Sequence, residues 1–159
     1  MSDTGVIAPH DGFDFGPDPE NPGWNHWNLK DETLFNRAVL GRLIARREGD
    51  FARLRMFPVR KHENLQGSIH GAVTQSLIDI ALFSTMRLLD SGDAGPSVTL
   101  EISTQFIGAG DPSRPLDAVS EVMRETGKLV FIRGTVEQDN DRVAAFSGIV
   151  RKFSPRKQA

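Results

Sequence analysis

The stretch GAVTQSLIDIALFSTMRLLD, residues 71–90, decides how the rest of the chain has to be arranged. Val73, Leu77, Ile78, Ile80, Leu82, Phe83, Met86 and Leu88 fall on almost every side of a helix. A helix that is apolar nearly all round must be buried, so the remaining chain has to wrap it. After a turn over 91–96 (Ser-Gly-Asp-Ala-Gly-Pro), alternating apolar residues predict four strands, near 98–107, 116–125, 128–138 and 142–153. Gly110-Asp111-Pro112, Thr126-Gly127 and Asp139-Asn140-Asp141 separate them, and the last two gaps are short enough for hairpins. One buried helix ahead of sequential hairpins predicts an α+β domain whose curved antiparallel sheet wraps around the helix.

Working towards the N-terminus, Leu54 and Met56 alternate with Arg53 and Arg55 in a short extended run over 51–62 that Pro58 makes irregular. Leu34, Ala38, Leu40, Leu43 and Ile44 share a helical face, with Asp31 as N-cap and Gly49 as stop, predicting a further N-terminal helix over 31–47. Residues 1–29 hold five acids, no Lys or Arg, and frequent Pro and Gly, the composition of an extended arm. Phe13, Phe15, Trp24 and Trp27 argue that the arm lies on the body or on a neighbouring subunit. The expected organisation is therefore an arm, 1–29, and one domain, 30–159.

A chain of 159 residues is long enough for one core. Its net charge of −2 offers no basic excess for nucleic acid. With no cysteine there is no disulfide framework, thiolate metal site or cysteine nucleophile. The uncharged run 64–78 is too polar to span a membrane, and 1–10 lacks the pattern of a secretory signal, so a cytoplasmic protein is expected. Gly67-Ser68-Ile69-His70-Gly71 has Ile69 where a nucleophile elbow needs Ser. No phosphate loop or dinucleotide fingerprint is present, and His10, His26, His62 and His70 lack the pairing of a helical zinc site. Neither a metal nor a cofactor is expected.

What remains is Asn64 to Ala72, leading into the buried helix that carries Asp79. The unpaired N–H groups and positive dipole end of that helix can stabilise an oxyanion. Asp79, between Ile78 and Ile80, has to find a partner or face a cavity, and Gln75 and Ser76 lie one turn before it in a polar strip. Taken singly each residue has an ordinary explanation: His70 as a cap, Gly71 for close packing, Asn64 in a turn, Thr99 as a β-former.

Taken together, Asn64, His70-Gly71, Asp79 and the strand opening at Thr99 resemble the hotdog-fold acyl-CoA thioesterases of the phenylacetate-pathway (PaaI-like) group, over about residues 35–153. The resemblance implies a hydrolase that splits acyl-CoA into a carboxylic acid and CoA. It implies that the Gly71 N–H binds the thioester carbonyl and that Asp79 is general base or nucleophile. By the same resemblance Asn64 organises the loop, His70 supports it and Thr99 helps position water. Gln75, Ser76, Phe83 and Ala72 are the expected substrate contacts. Ala72 departs from the second glycine the family often has there.

Gly71 and Asp79 are eight residues apart, about 12 Å along a helix, so one chain cannot bring both to one carbonyl carbon. Two antiparallel helices across a two-fold axis can, giving two sites per homodimer; the resemblance implies this arrangement, often within a homotetramer. Arg124, Lys128, Arg133, Arg151 and Lys152 are candidates for CoA phosphates or plain surface charges. Phe106, with Phe83, is a candidate for the acyl pocket or the core. Two alternatives remain open at this level: a non-catalytic acyl-CoA-binding or sensing module, and a hydratase or dehydratase of the same fold.

Overall fold

The structure, a computed structural model, describes residues 12–91 and 96–153. The beginning of the arm, 1–11, and the centre of the 91–96 turn lie outside the described residues. The main helix α1 runs Gly71–Leu88. Ahead of it come β1 (Phe13–Asp14), β2 (Asn25–His26), β3 (Asn28–Leu29), β4 (Leu43–Glu48) and β5 (Phe51–Met56). After it come β6 (Ser97–Phe106), β7 (Leu116–Glu125), β8 (Leu129–Gln138) and β9 (Asp141–Lys152), within a residue of the expected boundaries.

Seven strands form one antiparallel sheet in the order β2-β4-β5-β7-β8-β9-β6. The β7–β8–β9 meander follows sequence order, whereas β6 joins on the far side of β9 and becomes a ten-residue edge. Alternation decides which face each residue takes. Leu54 and Met56 of β5, Leu116 and Ala118 of β7, and Val130 and Ile132 of β8 turn inward with α1 residues Leu77, Ile78 and Leu82 into one core. Helix α1 contacts every strand from β4 to β9. It lies so close to β9 that a Cβ on Gly148 would be 2.7 Å from both Leu82 Cδ atoms.

The N-terminal helix is much shorter than expected. Only Asn36–Leu40 forms a helical turn, closed by Gly41 at φ +74°, and Leu43–Glu48 is strand β4 instead. The apolar spacing that suggested a helix places Leu40, Leu43 and Ile44 in buried positions either way, while Leu34 is exposed. Pairing with β5 over six residues gives this segment a ladder that an isolated helix would lack. Asp31 accepts from the Thr33 N–H and hydroxyl, at 2.9 and 2.6 Å, in a local turn rather than capping a helix; the hydroxyl and then the amide hold its carboxyl below the ordinary range.

The described part of the arm, 12–29, lies on the body. Its β2 pairs with β4, and β1 pairs with β3. Trp27 enters the core, edge-on to Phe13 with ring centroids 4.8 Å apart. Trp24 sits on the outer face between the Arg46 and Arg55 guanidiniums, 4.3 and 4.7 Å from its ring centroid. Beside it, buried Asp117 accepts from Arg55 Nε at 2.7 Å and Arg53 Nη1 at 2.9 Å, crosslinking β5 and β7. Burial alone would lower the Arg53 pKa, but the Glu48 and Asp117 carboxylates outweigh it and raise it. No helix among the described residues is long and apolar enough to cross a membrane.

The close packing of β8 against its neighbour β7 is testable. A Cβ on Gly134 would collide with the Val119 carbonyl oxygen and stand 2.8 Å from Ser120 Cβ, whereas one on Gly127 meets nothing. Gly134→Ala is expected to lower the free energy of unfolding by about 3 kcal/mol, and Gly127→Ala by about 0.5 kcal/mol or less, in denaturant titrations.

Candidate functional site

Core packing covers most of α1 but leaves one line incompletely covered. Gly71, Gln75, Asp79 and Phe83, spaced four apart, are half-buried, while Val73, Thr74, Leu77, Ile78, Ile80, Ala81 and Leu82 are buried. Residues at this spacing share one helical face. Here the face runs beside the edge strand β6: Thr99 Oγ1 donates to Asp79 Oδ1 at 2.7 Å, and a Cβ on Gly71 would lie 3.4 Å from the Phe106 ring.

A β-bulge sets the Thr99 contact. Ile102, Thr104 and Phe106 pair with the inward-facing Gly148, Phe146 and Ala144 of β9, so they share the helix-facing side. Strict alternation would turn residue 99 to the opposite side. The register instead steps from Thr99↔Val150 to Glu101↔Ile149, leaving Leu100 as the additional residue and returning Thr99 to the side of α1.

The loop before α1 fixes its first turn. His62 is 1% exposed; its Nδ1 accepts from the Val59 N–H at 2.9 Å, and its Nε2 lies 2.7 Å from the Val39 carbonyl oxygen. A carbonyl can only accept, so Nε2 carries the proton and the ring is locked as one neutral tautomer. The His62 carbonyl in turn receives the His70 N–H at 2.8 Å. Asn64 folds the intervening residues, its Oδ1 accepting from the N–H groups of Gln66 at 2.9 Å and Ser68 at 3.1 Å. Gly67, at φ +74°, takes the left-handed backbone conformation this turn requires. The Ile69 N–H donates to the Gly110 carbonyl at 2.9 Å.

At the start of the helix, exposed His70 is the N-cap: its Nδ1 accepts from the Ala72 N–H at 3.0 Å. Its carbonyl receives Val73 N–H at 2.9 Å and Thr74 N–H at 3.3 Å. The Gly71 N–H has no partner among the described residues. That leaves one free donor at the positive end of the helix dipole, flanked by the Phe106 ring.

The remaining expected site residues are placed as follows. Ser76 turns its hydroxyl to the Ala72 carbonyl at 2.8 Å, and Ala72 itself is exposed. Phe83 packs against the core, and Phe106 is 58% exposed. The fold brings Asp79 to Thr99 and groups Gly71 with His70 and Phe106, but Gly71 and Asp79 stand eight residues apart on one helix. The outer side of β6 has no strand beside it among the described residues, and Val98, Leu100, Phe106 and Ile107 are exposed along that edge. Of the basic residues, Arg133 pairs with Glu121 and Lys152 with Glu125, while Arg151 lies over the Phe153 ring.

Sequence reasoning did not single out His62 and Gly110, whose carbonyls accept the His70 and Ile69 N–H groups, or Gln138, which binds the segment that follows Gly110. Gly108-Ala-Gly-Asp-Pro112 signals a turn, yet nothing in its composition says what the turn supports.

A family model described as the thioesterase superfamily matches residues 66–145. Among solved structures, the architecture is similar to the Escherichia coli PaaI protein from the phenylacetic acid degradation operon, with a TM-score of 0.64, 20% identity, and coverage of 77% of this chain and 87% of that one. It is similar to zebra fish thioesterase superfamily member 2, with a TM-score of 0.65, 19% identity, and coverage of 77% and 89%. It is also similar to a hypothetical thioesterase from Streptococcus pneumoniae crystallised with coenzyme A, with a TM-score of 0.63, 16% identity, and coverage of 76% and 92%. No curated protein is a significant match.

The Asn64 turn yields a direct test. Asn64→Ala removes an acceptor shared by two backbone amides, so amide exchange at Gln66 and Ser68 should speed up about tenfold and stability should fall by about 1 kcal/mol, as read by NMR and thermal unfolding.

Proposed function

The chain belongs to the thioesterase superfamily and has the hotdog fold, and from its site we propose that it hydrolyses an acyl-CoA thioester to the free acid and CoA. The observation that carries this reading is the pairing, along one open helical line, of a free N–H at Gly71 with a carboxylate at Asp79 that Thr99 holds in place. An N–H at a helix N-terminus suits the negative charge that develops on the carbonyl oxygen. A carboxylate nearby either takes a proton from attacking water or attacks the carbonyl carbon itself. On either route the C–S bond breaks, the sulfur leaves as thiolate and is protonated, and water supplies the second carboxyl oxygen.

Two copies complete the proposed site. With β6 edges adjacent and α1 helices antiparallel about a two-fold axis, Gly71 of one copy faces Asp79 of the other. The β6 edge, unpaired among the described residues, and its exposed apolar residues support this arrangement, since such an edge invites pairing with another chain. The structure from S. pneumoniae contains coenzyme A, which supports CoA as the carrier here. Asn64 and His70 hold the donor peptide, Gln75 and Ser76 form the polar floor, and Ala72, Phe83 and Phe106 border the acyl group.

Two substitutions test the two halves. Asp79→Asn keeps the side-chain shape but removes the base or nucleophile, and kcat should fall about 10²- to 10⁴-fold. Gly71 is the first helical residue, and His70, at φ −63° and ψ 136°, already has the extended conformation that precedes proline. Gly71→Pro therefore deletes the N–H while suiting the helix start, and kcat should fall about 10²- to 10³-fold with the melting temperature nearly unchanged. The assay is thiol release from a panel of acyl-CoAs. Tight binding of acyl-CoA with no hydrolysis by the wild type would instead mark a sensing module.

A further inference from the structure

The His70–Gly71 peptide that offers the Gly71 N–H lies one residue beyond Ile69, whose own N–H is held by the Gly110 carbonyl, and Gly110 belongs to a segment with an unusual anchor. Gln138, at the end of β8, is 1% exposed and devotes its whole amide to that segment. Its Oε1 accepts from the Asp111 N–H at 2.7 Å. Its Nε2 lies 2.7 Å from the Asp111 carbonyl, 3.1 Å from that of Arg114 and 3.2 Å from that of Pro115. One buried side chain thus meets four backbone groups of a loop that otherwise lacks a strand ladder.

The loop in turn touches the site. Beyond the Ile69 N–H bond to the Gly110 carbonyl, the two residues are in tight contact: a Cβ on Gly110 would stand 3.0 to 3.2 Å from Ile69 Cδ1, Cβ and Cγ1. Ile69 is buried, so a shift at Gly110 is passed on rather than absorbed by solvent. We infer that Gln138 is a positioning residue which, through the 110–115 loop and Ile69, sets the direction of the Gly71 N–H. This rests on the proposed function, because the orientation matters only if that N–H meets a reacting carbonyl. An oxyanion donor is sensitive to small displacements, and the loss appears in kcat.

The experiment compares three single variants of the full chain with the wild type. Gln138→Met keeps the length and burial but removes the amide. Gly110→Ala leaves Gln138 intact and pushes Ile69 directly. Ser120→Ala, on β7, breaks a buried hydroxyl contact with Thr85 near the far end of α1 and serves as a measure of destabilisation alone. For each, kcat and KM per folded molecule, melting temperature and amide exchange at Ile69 are measured.

Gln138→Met is expected to lower kcat about tenfold or more, with KM within about twofold and Ile69 exchange accelerated. Gly110→Ala should shift kcat in the same direction, and Ser120→Ala should lower the melting temperature with kcat unchanged. Unchanged kcat per folded molecule in Gln138→Met, or unchanged Ile69 exchange, overturns the inference. If Gln138→Met does not fold, Gly110→Ala decides by the same two readouts. A wild type that hydrolyses none of the thioesters is a distinct failure: it removes the proposed function itself, and the positioning role with it.

Discussion

Burying an eighteen-residue helix inside one sheet leaves that helix little choice about where its polar chemistry can go. Strands β4 to β9 contact α1, and the core takes up its apolar sides. The flank along Gly71, Gln75, Asp79 and Phe83 is the part left half-open, beside an edge strand rather than beneath the sheet. An ionised carboxylate in the middle of such a helix is tolerable only where it has a hydrogen-bond donor and access to water. Asp79 has both, and its place on the flank follows from the packing of every other face.

Strand β6 serves three requirements at once. Its inward residues close the core against β9, and its bulge at Leu100 turns Thr99 towards Asp79. Its outer rim leaves backbone groups and apolar side chains uncovered among the described residues. Natural proteins seldom leave a ten-residue edge with exposed apolar side chains unpartnered. In the proposed reaction this rim is where a second copy docks, which supplies the half of the site that a single α1 is too long to bring together.

The helix and the four strands after it were legible because their signals are local: an apolar run too continuous for a surface helix, then alternation broken by short turns. Residues 31–47 were not, because apolar spacings of three and four also suit a turn followed by a strand. The choice was made by β5, which offers β4 six paired residues. The arm's aromatics did announce that it packs, though not that Trp24 and Trp27 would straddle the sheet edge. At the site, the residues near α1 were proposed from their pattern together with the family resemblance. Their supports could not be, since Gln138 reaches the loop from 27 residues away and His62 is buried against Val39 by contacts that have no pattern in sequence.

The most direct test of the account is complementation between two disabled chains. Asp79→Asn keeps Gly71, and Gly71→Pro keeps Asp79; co-expressed with different tags, they form mixed dimers holding one intact pair. If the donor and the carboxylate come from different copies, the mixture should recover about a quarter of the wild-type rate, from half the dimers being mixed and one of two sites being whole. A mixture that stays as inactive as its parents, with mixed dimers shown by native mass spectrometry, would contradict the shared site.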